Sequence, residues 1–373
     1  MKIGVPKEIK VREYRVGLVP ANVHEIVKRG HAVWVEKNAG AGIGASDDAY
    51  RAAGATIVED AEAIYAAADL IVKVKEPQRN ERRMLKLGQI LFTYLHLAPD
   101  PDQTRDLVTS GATCIGYETV TSPHGGLPLL APMSEVAGRL AVQAGAYFLE
   151  EAHGGRGILL GGVPGVAPAK VVILGGGVVG AQAADVALGM GADVCVLDRN
   201  LDVLRRLQQQ FGHSLKTVFS THNTITQHCC EADLVIGSIL VPGAEAPKLI
   251  SRETVKQMQP GSVIVDVAID QGGCCETSRP TTHDAPTYIV DGVIHYCVAN
   301  MPGSVPRTST YALNNATLPY VLALADKGLH ALRDDPFLRE GLNVYRGKVT
   351  NRAVAEALGY GFEDALTALD AIE

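Results

Sequence analysis

The stretch Lys170–Asp198, KVVILGGGVVGAQAADVALGMGADVCVLD, indicates the fold of this chain more clearly than any other stretch. An apolar run typical of a β-strand, Lys170–Leu174, leads directly into a glycine-rich turn. A helical run follows as far as Gly189, and a second apolar run ends on Asp198. This order of strand, glycine turn, helix, strand and acidic residue is typical of a dinucleotide-binding unit.

The glycine pattern of this unit has a physical reason at each position. Gly175 permits a tight turn, Gly177 lets the backbone approach a pyrophosphate, and Gly180 lets the helix pack close to the strand. The N-terminus of the helix offers N–H groups and partial positive charge to a phosphate. Asp198 can accept hydrogen bonds from both ribose hydroxyls of an adenosine, which favours NAD as the cofactor. The alternative is a structural turn that binds no ligand.

The overall composition argues against several classes of function. With 373 residues, of which 47% are hydrophobic, the chain is long enough for two domains with sizeable cores. Its net charge of −7 argues against a nucleic-acid partner. We expect no membrane span or membrane partner, because no uncharged apolar run of about 18 residues and no signal-peptide core is present. Seven cysteines without a CxxC pair favour reduced thiols in the cytoplasm, and unpaired histidine spacing favours no metal site.

The rest of the chain alternates apolar runs with helical patterns, which predicts α/β architecture with mostly parallel sheets. Strands are predicted at Lys2–Val5, Ala32–Glu36, Leu70–Lys75, Ile90–Leu95 and Ala112–Tyr117 before the glycine turn, and at Asp193–Leu197, Thr217–Ser220, Leu234–Ile239, Ser262–Ala268 and Ile294–Ala299 after it. A long apolar helix is predicted at Met133–Ala152. Beyond Pro306 the chain is predicted to be mainly helical and to pack back onto the first domain.

Ionisable residues at the ends of predicted strands are candidates for chemistry, because open parallel sheets carry their working groups there. Arg15 lies near the first strand, and Lys75 closes the run LIVKVK. His96 closes ILFTYLH, and Asp270 closes SVIVDVAID. The plainer interpretations are solvated surface charges for the two cations, a core histidine, and a helix N-cap for the aspartate. Asp266 is either a rival candidate or a buried structural carboxylate, and its spacing does not decide between the two.

Eight blocks of sequence follow one another between Met1 and Gly359: MKIGVPKE, REYRVGLVP, LIVKVKEP, LFTYLHLA, LPLLAPMSEVAGRLA, GGRGILLGGVPGV, VDVAIDQGG and YCVANMPGSVPRTSTYALNNAT. Together they resemble the bacterial L-alanine dehydrogenases. The nucleotide-binding subunits of nicotinamide nucleotide transhydrogenases resemble the same fold and are one alternative, although they would be expected to lack the Lys–Arg–His set that this chain keeps. A non-catalytic NAD(H)-binding module is another alternative.

The resemblance implies the NAD-dependent, reversible oxidative deamination of L-alanine to pyruvate and ammonium. It implies that Arg15 and Lys75 bind the substrate, and that His96 and Asp270 are the catalytic pair. Beside Gly175 and Gly180 of the turn, it assigns cofactor contacts to Ser134, Gly177, Val178, Val179, Asp198, Ser220, Leu240, Asn300 and Met301. It also implies two doubly wound domains in a homo-hexamer, with an NAD-binding Rossmann domain (133–306) inserted into a discontinuous substrate domain (1–132 and 307–373).

Overall fold

The computed structural model describes residues 1–239 and 246–370. The chain divides into two compact units: the first joins Met1–Met133 to Val305–Glu373, and the second is Ser134–Ser304. Within the described residues, no helix is both long and apolar enough to cross a membrane.

The elements alternate between strand and helix along most of the chain. The first segment contains β1 (Lys2–Val5), α1 (Pro20–Lys28), β2 (Ala32–Glu36), α2 (Asp47–Ala52), β3 (Thr56–Val58), α3 (Ala61–Ala67), β4 (Leu70–Val72), α4 (Arg79–Arg82), β5 (Ile90–Thr93), α5 (Pro101–Ser110) and β6 (Thr113–Gly116). The middle segment contains α6 (Ala131–Phe148), β7 (Lys170–Leu174), α7 (Val178–Gly189), β8 (Asp193–Asp198), α8 (Leu201–Phe211), β9 (Lys216–Phe219), α9 (His222–Glu231), β10 (Leu234–Gly237), α10 (Arg252–Gln257), β11 (Val263–Asp266), β12 (Thr287–Val290) and β13 (Val293–Tyr296). The last segment contains α11 (Pro306–Lys327), α12 (His330–Asp334), α13 (Pro336–Arg339), β14 (Leu342–Tyr345), β15 (Lys348–Val349), α14 (Arg352–Leu358) and α15 (Ala365–Asp370).

The sheet of the first unit has the strand order β15-β14-β6-β5-β4-β1-β2-β3 among the described residues. Strands β1 to β6 run parallel to one another, whereas β14 pairs antiparallel with β6, and β15 with β14, at one edge. Every residue of β4, β5 and β6 is buried, as is usual for a parallel sheet that is covered on both faces. The carboxyl ends of the central strands therefore form one rigid edge that can carry a site.

The sheet of the second unit has the strand order β12-β13-β11-β10-β7-β8-β9. Among the residues that the structure describes, six parallel strands follow the order 3-2-1-4-5-6 of a Rossmann sheet, and β12 adds an antiparallel strand at the edge. The strands begin and end within a few residues of the predicted bounds, and β7 has the bounds predicted for it. The predicted α/β class with two mostly parallel sheets is confirmed.

Strand β4 of the first sheet ends before the residue that the sequence predicted. The strand predicted to reach Lys75 ends at Val72. The carboxylate of Glu8 explains the difference, because it accepts the backbone N–H of Val74 at 2.7 Å and that of Lys75 at 3.3 Å. Lys75 therefore lies in a loop beyond the strand.

The sequence suggested that Asp270 closes a strand, but in the structure it lies beyond the end of that strand. Strand β11 ends at Asp266 rather than at Ala268, and Asp270 lies in the 3-10 helix Val267–Gln271 that follows. The alternative of a helix N-cap is also wrong for Asp270, because it is inside this helix. The predicted long helix likewise runs over Ala131–Phe148 instead of Met133–Ala152.

The C-terminal tail contains strands as well as helices. Strand β14 pairs antiparallel with β6, and β15 pairs antiparallel with β14. The prediction of a mainly helical tail is wrong in this part, because LNVY and KV are too short to show the period of two that identifies a strand. The short strands β3 and β12 escape sequence prediction for the same reason.

Candidate active site and nucleotide site

Arg15 forms a buried ion pair with Glu13 in the segment that follows β1. Arg15 is 2% exposed, and its Nε and Nη2 atoms donate to the two carboxylate oxygens of Glu13 at 2.7 and 2.5 Å. This two-pronged contact is the geometry to which a guanidinium is best suited. Burial by itself would raise the pKa of the Glu13 carboxyl, but the hydrogen bonds and charge of Arg15 lower it to about 2. The interpretation of Arg15 as a solvated surface charge is therefore wrong.

Lys75 is half-buried, and its backbone is held on both sides of the residue. Its N–H donates to the Oε1 atom of Glu8 at 3.3 Å, and its carbonyl oxygen accepts the hydroxyl of Thr93 at 2.9 Å. The charge of Lys75 is also one of the causes that lower the pKa of Glu13, after the larger effects of burial and Arg15. Lys75 and Arg15 therefore act on the same carboxylate.

An ion cluster next to Lys75 includes a residue that the sequence patterns do not single out. Lys73 is completely buried, and its Nζ atom lies 3.1 Å from Oε2 of Glu8 and 2.7 Å from Oε1 of Glu81. Burial would lower the pKa of Lys73, but the two carboxylates raise it. In the run LIVKVK a period of two would put both lysines on one solvated face. That reasoning fails for Lys73 because this sheet is buried on both faces.

His96 lies in the loop after β5. The strand predicted to reach Leu95 ends at Thr93. The side chain of His96 is 46% exposed, and its ring stacks on Tyr94 with the ring centroids 5.8 Å apart. Its φ of 50° is in the left-handed region, which few residues other than glycine adopt. His96 is therefore an accessible imidazole on a constrained backbone, and the interpretation as a core histidine is wrong.

Arg15, Lys75 and His96 all follow the carboxyl ends of central strands in one sheet. Strands β1, β4 and β5 are consecutive in that sheet, and the direction of the strand order reverses between β1 and β4. Open α/β sheets bind their ligands at such a switch point. Burial lowers the pKa of Arg15, but Glu13 and, more weakly, Tyr94 raise it. Tyr94 thus links Arg15 to His96, which stacks on it, and Glu13 links Arg15 to Lys75, because both cations lower its pKa. The structure therefore brings these three residues into one neighbourhood.

Asp266 and Asp270, both in the second unit, have different surroundings. Asp266 is completely buried, and its Oδ2 atom accepts the hydroxyl of Ser278 at 2.6 Å and the backbone N–H of Cys274 at 2.9 Å. Asp270 is exposed on its 3-10 helix. Asp266 is thus the buried structural carboxylate that the sequence left as one possibility, and Asp270 is open to a ligand.

The glycine turn has room for a ligand at one position and none at another. A Cβ atom added to Gly180 would lie 1.9 Å from the carbonyl oxygen of Gly175, which itself has a φ of 101°. At Gly177, by contrast, nothing lies within 4 Å of an added Cβ. Val178 and Val179 follow as the first residues of α7, whose N–H groups are available to an anion. The turn therefore fits a phosphate at Gly177.

Asp198 is held at the carboxyl end of β8. Its Oδ2 atom accepts the N–H of Gly176 at 2.7 Å, and its Oδ1 atom accepts the N–H of Asn200 at 2.7 Å. Ser220 is buried and donates its N–H to the carbonyl oxygen of Asp198 at 2.9 Å. Arg199 is exposed beside this carboxylate. The carboxylate is thus fixed near the glycine turn before any ligand binds.

The remaining predicted cofactor residues lie elsewhere in the second unit. Ser134 is half-buried on α6. Asn300 has a φ of 61° and directly precedes the 3-10 helix that begins at the buried Met301. Leu240 lies outside the described residues.

Two family models match consecutive parts of the chain. "Alanine dehydrogenase/PNT, N-terminal domain" matches residues 4–137, and "Alanine dehydrogenase/PNT, C-terminal domain" matches residues 141–352. The chain belongs to the alanine dehydrogenase/PNT family. A relative named alanine dehydrogenase from Halomonas elongata is 61% identical over 366 residues, which are 98% of this chain and 99% of the relative. The relative of that name from Bacillus subtilis is 54% identical over 371 residues, with 99% and 98% covered.

Two solved structures share the fold of this chain. A structure of L-alanine dehydrogenase matches with a TM-score of 0.94 and 53% identity, and covers 96% of this chain and 99% of its own. A transhydrogenase from Sinorhizobium meliloti matches with a TM-score of 0.81 and 24% identity, and covers 95% of this chain and 100% of its own. The second likeness concerns the fold alone. The predicted family is confirmed, and the transhydrogenase alternative is not favoured.

Proposed function

We propose that the protein catalyses the NAD-dependent, reversible oxidative deamination of L-alanine. L-alanine, NAD⁺ and water give pyruvate, ammonium, NADH and a proton. The observation that carries the proposal is the gathering of the buried Glu13–Arg15 pair, Lys75 and His96 at the switch point of the first sheet. Relatives named alanine dehydrogenase match almost the whole chain, which supports the same activity here.

The second unit fits NAD through its glycine turn. Gly177 leaves space for a pyrophosphate at the N-terminus of α7. Asp198 presents a fixed carboxylate that would accept ribose hydroxyls and repel a 2′-phosphate. When bound, NAD⁺ supplies the capacity to accept a hydride from the substrate carbon. We assign the remaining contacts to Ser134, Gly175, Val178, Val179, Gly180, Ser220, Leu240, Asn300 and Met301.

Arg15 and Lys75 recognise the substrate in this proposal. A guanidinium suits a carboxylate because its N–H groups form a planar fork, and Glu13 fixes the orientation of that fork. An ammonium close to a carbonyl oxygen polarises it, which assigns Lys75 to the ketone of pyruvate. The ionised Glu13 offsets one of the two cations, so the cluster keeps one net positive charge for a small, singly negative ligand that has few other atoms to hold.

His96 and Asp270 move and position protons in this proposal. The imidazole of His96 takes a proton from the ammonium group of alanine and releases it to solvent. It then takes a proton from the water that attacks the iminium carbon to give a carbinolamine, and passes that proton to the amine, which departs as ammonium. The stacking of His96 on Tyr94, with the two rings parallel to within 5°, favours one plane for the imidazole. The exposed carboxylate of Asp270 holds the attacking water and stabilises the positive intermediates.

We further propose that the protein is a cytoplasmic homo-hexamer that acts on small molecules and has no membrane or nucleic-acid partner. The seven cysteines are all free thiols, which suits a reducing compartment. Burial raises the pKa of several of them, that of Cys114 to about 12, so these thiols are unreactive at neutral pH. The hexamer rests on the family alone, and its check is a mass measurement in solution.

A direct assay tests the proposed activity. Purified protein is mixed with NAD⁺ and L-alanine, and NADH is followed by absorbance; the reverse reaction uses pyruvate, ammonium and NADH. A panel of other small amino and keto acids defines the substrate range. Formation of NADH that depends on alanine is the expected result. Hydride exchange between nucleotides without any alanine-dependent reaction would overturn the proposal.

A further inference from the structure

The backbone of His96 is held by a carboxylate from the turn that follows the neighbouring strand of the sheet. Glu118 lies in the 3-10 turn Tyr117–Thr119 that follows β6. Its Oε1 atom accepts the backbone N–H of His96 at 2.6 Å, and both of its oxygens accept the N–H of Leu95 at 3.2 Å. Two successive N–H groups therefore point at one carboxylate, which is the arrangement of an anion nest formed by the main chain.

This contact coincides with the constrained conformation of the residue that it holds. The φ of 50° at His96 is unfavourable for a residue with a Cβ atom, and such a conformation persists only where its surroundings over-determine it. Glu118 supplies that restraint on the N–H side. On the other edge of the same peptide unit, Gln103 donates to the carbonyl oxygen of Leu95 at 2.5 Å, so the loop has a second attachment that does not depend on Glu118.

Glu118 forms its hydrogen bonds with the backbone of His96 and not with its ring. The Nδ1 atom of His96 lies 3.9 Å from Oε1 of Glu118, which is too far for a hydrogen bond but within ion-pair distance when the imidazole is protonated. The side chain of Glu118 is only 14% exposed, whereas that of His96 is 46% exposed. The carboxylate thus anchors the loop from inside, and the left-handed turn presents the imidazole outward over the ring of Tyr94.

We propose that Glu118 is the positioning residue of His96, and that it sets the direction in which the imidazole meets the substrate. The inference rests on the proposed function, because it assigns Glu118 to the proton-transfer step of that reaction. The two N–H groups need an acceptor oxygen, and they do not need the negative charge of the carboxylate. Loss of this acceptor frees the loop to relax toward an ordinary backbone conformation and turns the ring away.

Two variants separate these contributions. Glu118→Ala removes the acceptor, whereas Glu118→Gln keeps an amide oxygen and removes the charge. With NAD⁺ and L-alanine, Glu118→Ala should lower kcat by about 10- to 100-fold, the size of effect expected for a misplaced catalytic group. The KM for alanine and the Kd for NADH should barely move. Glu118→Gln should restore most of the lost kcat.

Two further proteins complete the test. Glu276→Ala removes a carboxylate that accepts the backbone N–H of Arg252 at 2.8 Å, and this matched control should leave kcat unchanged. Adding Glu118→Ala to His96→Ala should cost no further activity, because Glu118 acts only through His96. Thermal unfolding of every variant is recorded in parallel.

Each other outcome overturns the inference. Unchanged kcat in Glu118→Ala removes the positioning role. Equal losses in Glu118→Ala and Glu118→Gln mean that the charge matters and the backbone contact does not. A loss of kcat that comes with an equal loss of NADH binding and of Tm means that Glu118 is merely structural. If the wild-type protein itself forms no NADH from alanine, the proposed function fails first, and that result is distinct from an active wild type with an equally active variant.

Discussion

Glu13 holds Arg15 with both of its carboxylate oxygens, at 2.7 Å from Nε and 2.5 Å from Nη2, and both side chains are almost completely buried. The third nitrogen, Nη1, lies 3.1 Å from the sulfur of Met133. Removing one member of such a pair leaves a buried charge without its main counter-charge, which is costly. The stability that this ion pair contributes to the fold therefore depends on pH.

The first prediction concerns acid stability. Because the pKa of Glu13 is lowered from 4.5 to about 2, the ionised pair stabilises the fold fully above about pH 4.5, and this contribution is lost as the pH falls toward 2. The shift corresponds to about 3 kcal/mol. In urea unfolding at a series of pH values, Glu13→Gln should be less stable than wild type at neutral pH, and the difference should shrink as the pH falls through this window. A difference that stays constant would contradict the prediction. Glu62→Gln, at an exposed position on α3, is the control and should show no such convergence.

The second prediction concerns recognition of the substrate. Arg15→Ala and Lys75→Ala should each lower kcat/KM for pyruvate by tenfold to a few hundredfold, because a charge-assisted hydrogen bond contributes about 1.5–3 kcal/mol. Arg15→Lys should also lower kcat/KM for pyruvate, since an ammonium cannot reproduce the contact with both oxygens of Glu13. Steady-state kinetics with pyruvate and fluorescence titration of NADH measure the two effects separately. Unchanged pyruvate kinetics would remove these residues from the site, and equally weakened NADH binding would indicate a folding defect.

The third prediction separates chemistry from structure among three titratable residues. His96→Ala and Asp270→Asn should lose about 10²–10⁴-fold in turnover while NADH binding and Tm stay near wild type, because both side chains are exposed. Asp266→Asn should mainly lower Tm, because its Oδ2 atom accepts the hydroxyl of Ser278 and the N–H of Cys274 inside the protein. A larger loss of turnover per folded molecule at Asp266 than at Asp270 would reverse their roles.

The fourth prediction concerns the choice of cofactor. The wild-type protein should use NAD much more efficiently than NADP, because the fixed carboxylate of Asp198 would repel a 2′-phosphate. Asp198→Ala should narrow the ratio of the two kcat/KM values, with the exposed Arg199 available to the added phosphate. Asp202→Ala, four residues further on, removes an exposed carboxylate that pairs with Arg205 and should leave the ratio unchanged. Comparable efficiency of the wild type with both cofactors would refute the prediction.

Much of the second unit could be predicted from the sequence because its signals are local. The strand, the turn at Gly175, the helix and the strand that ends at Asp198 lie within one short stretch, and Gly175 and Gly180 each have a steric reason that any chain must obey. The same holds for the positions of Arg15, Lys75 and His96 near strand ends, which follow from the alternation of strand and helix alone.

The partners of those residues could not be predicted, because they come from distant parts of the chain. Glu8 contacts Lys73 across 65 positions, and Glu118 reaches His96 across 22. A carboxylate that accepts backbone N–H groups also ends a strand early. No local sequence pattern at Lys75 or His96 predicts such a contact. Periodicity reports which face is apolar, but it does not report which ion pairs the interior holds.

The antiparallel pairing of β14 with β6 has a consequence for protein synthesis. The whole second unit lies between these two strands in the chain, so the ribosome must produce that unit before β14 exists. The second unit, which is continuous in sequence, is therefore the first that translation can finish. Until Leu342 emerges, β6 keeps a free edge whose N–H and C=O groups can pair with another chain. A nascent chain that stalls in this interval is a natural client for a chaperone.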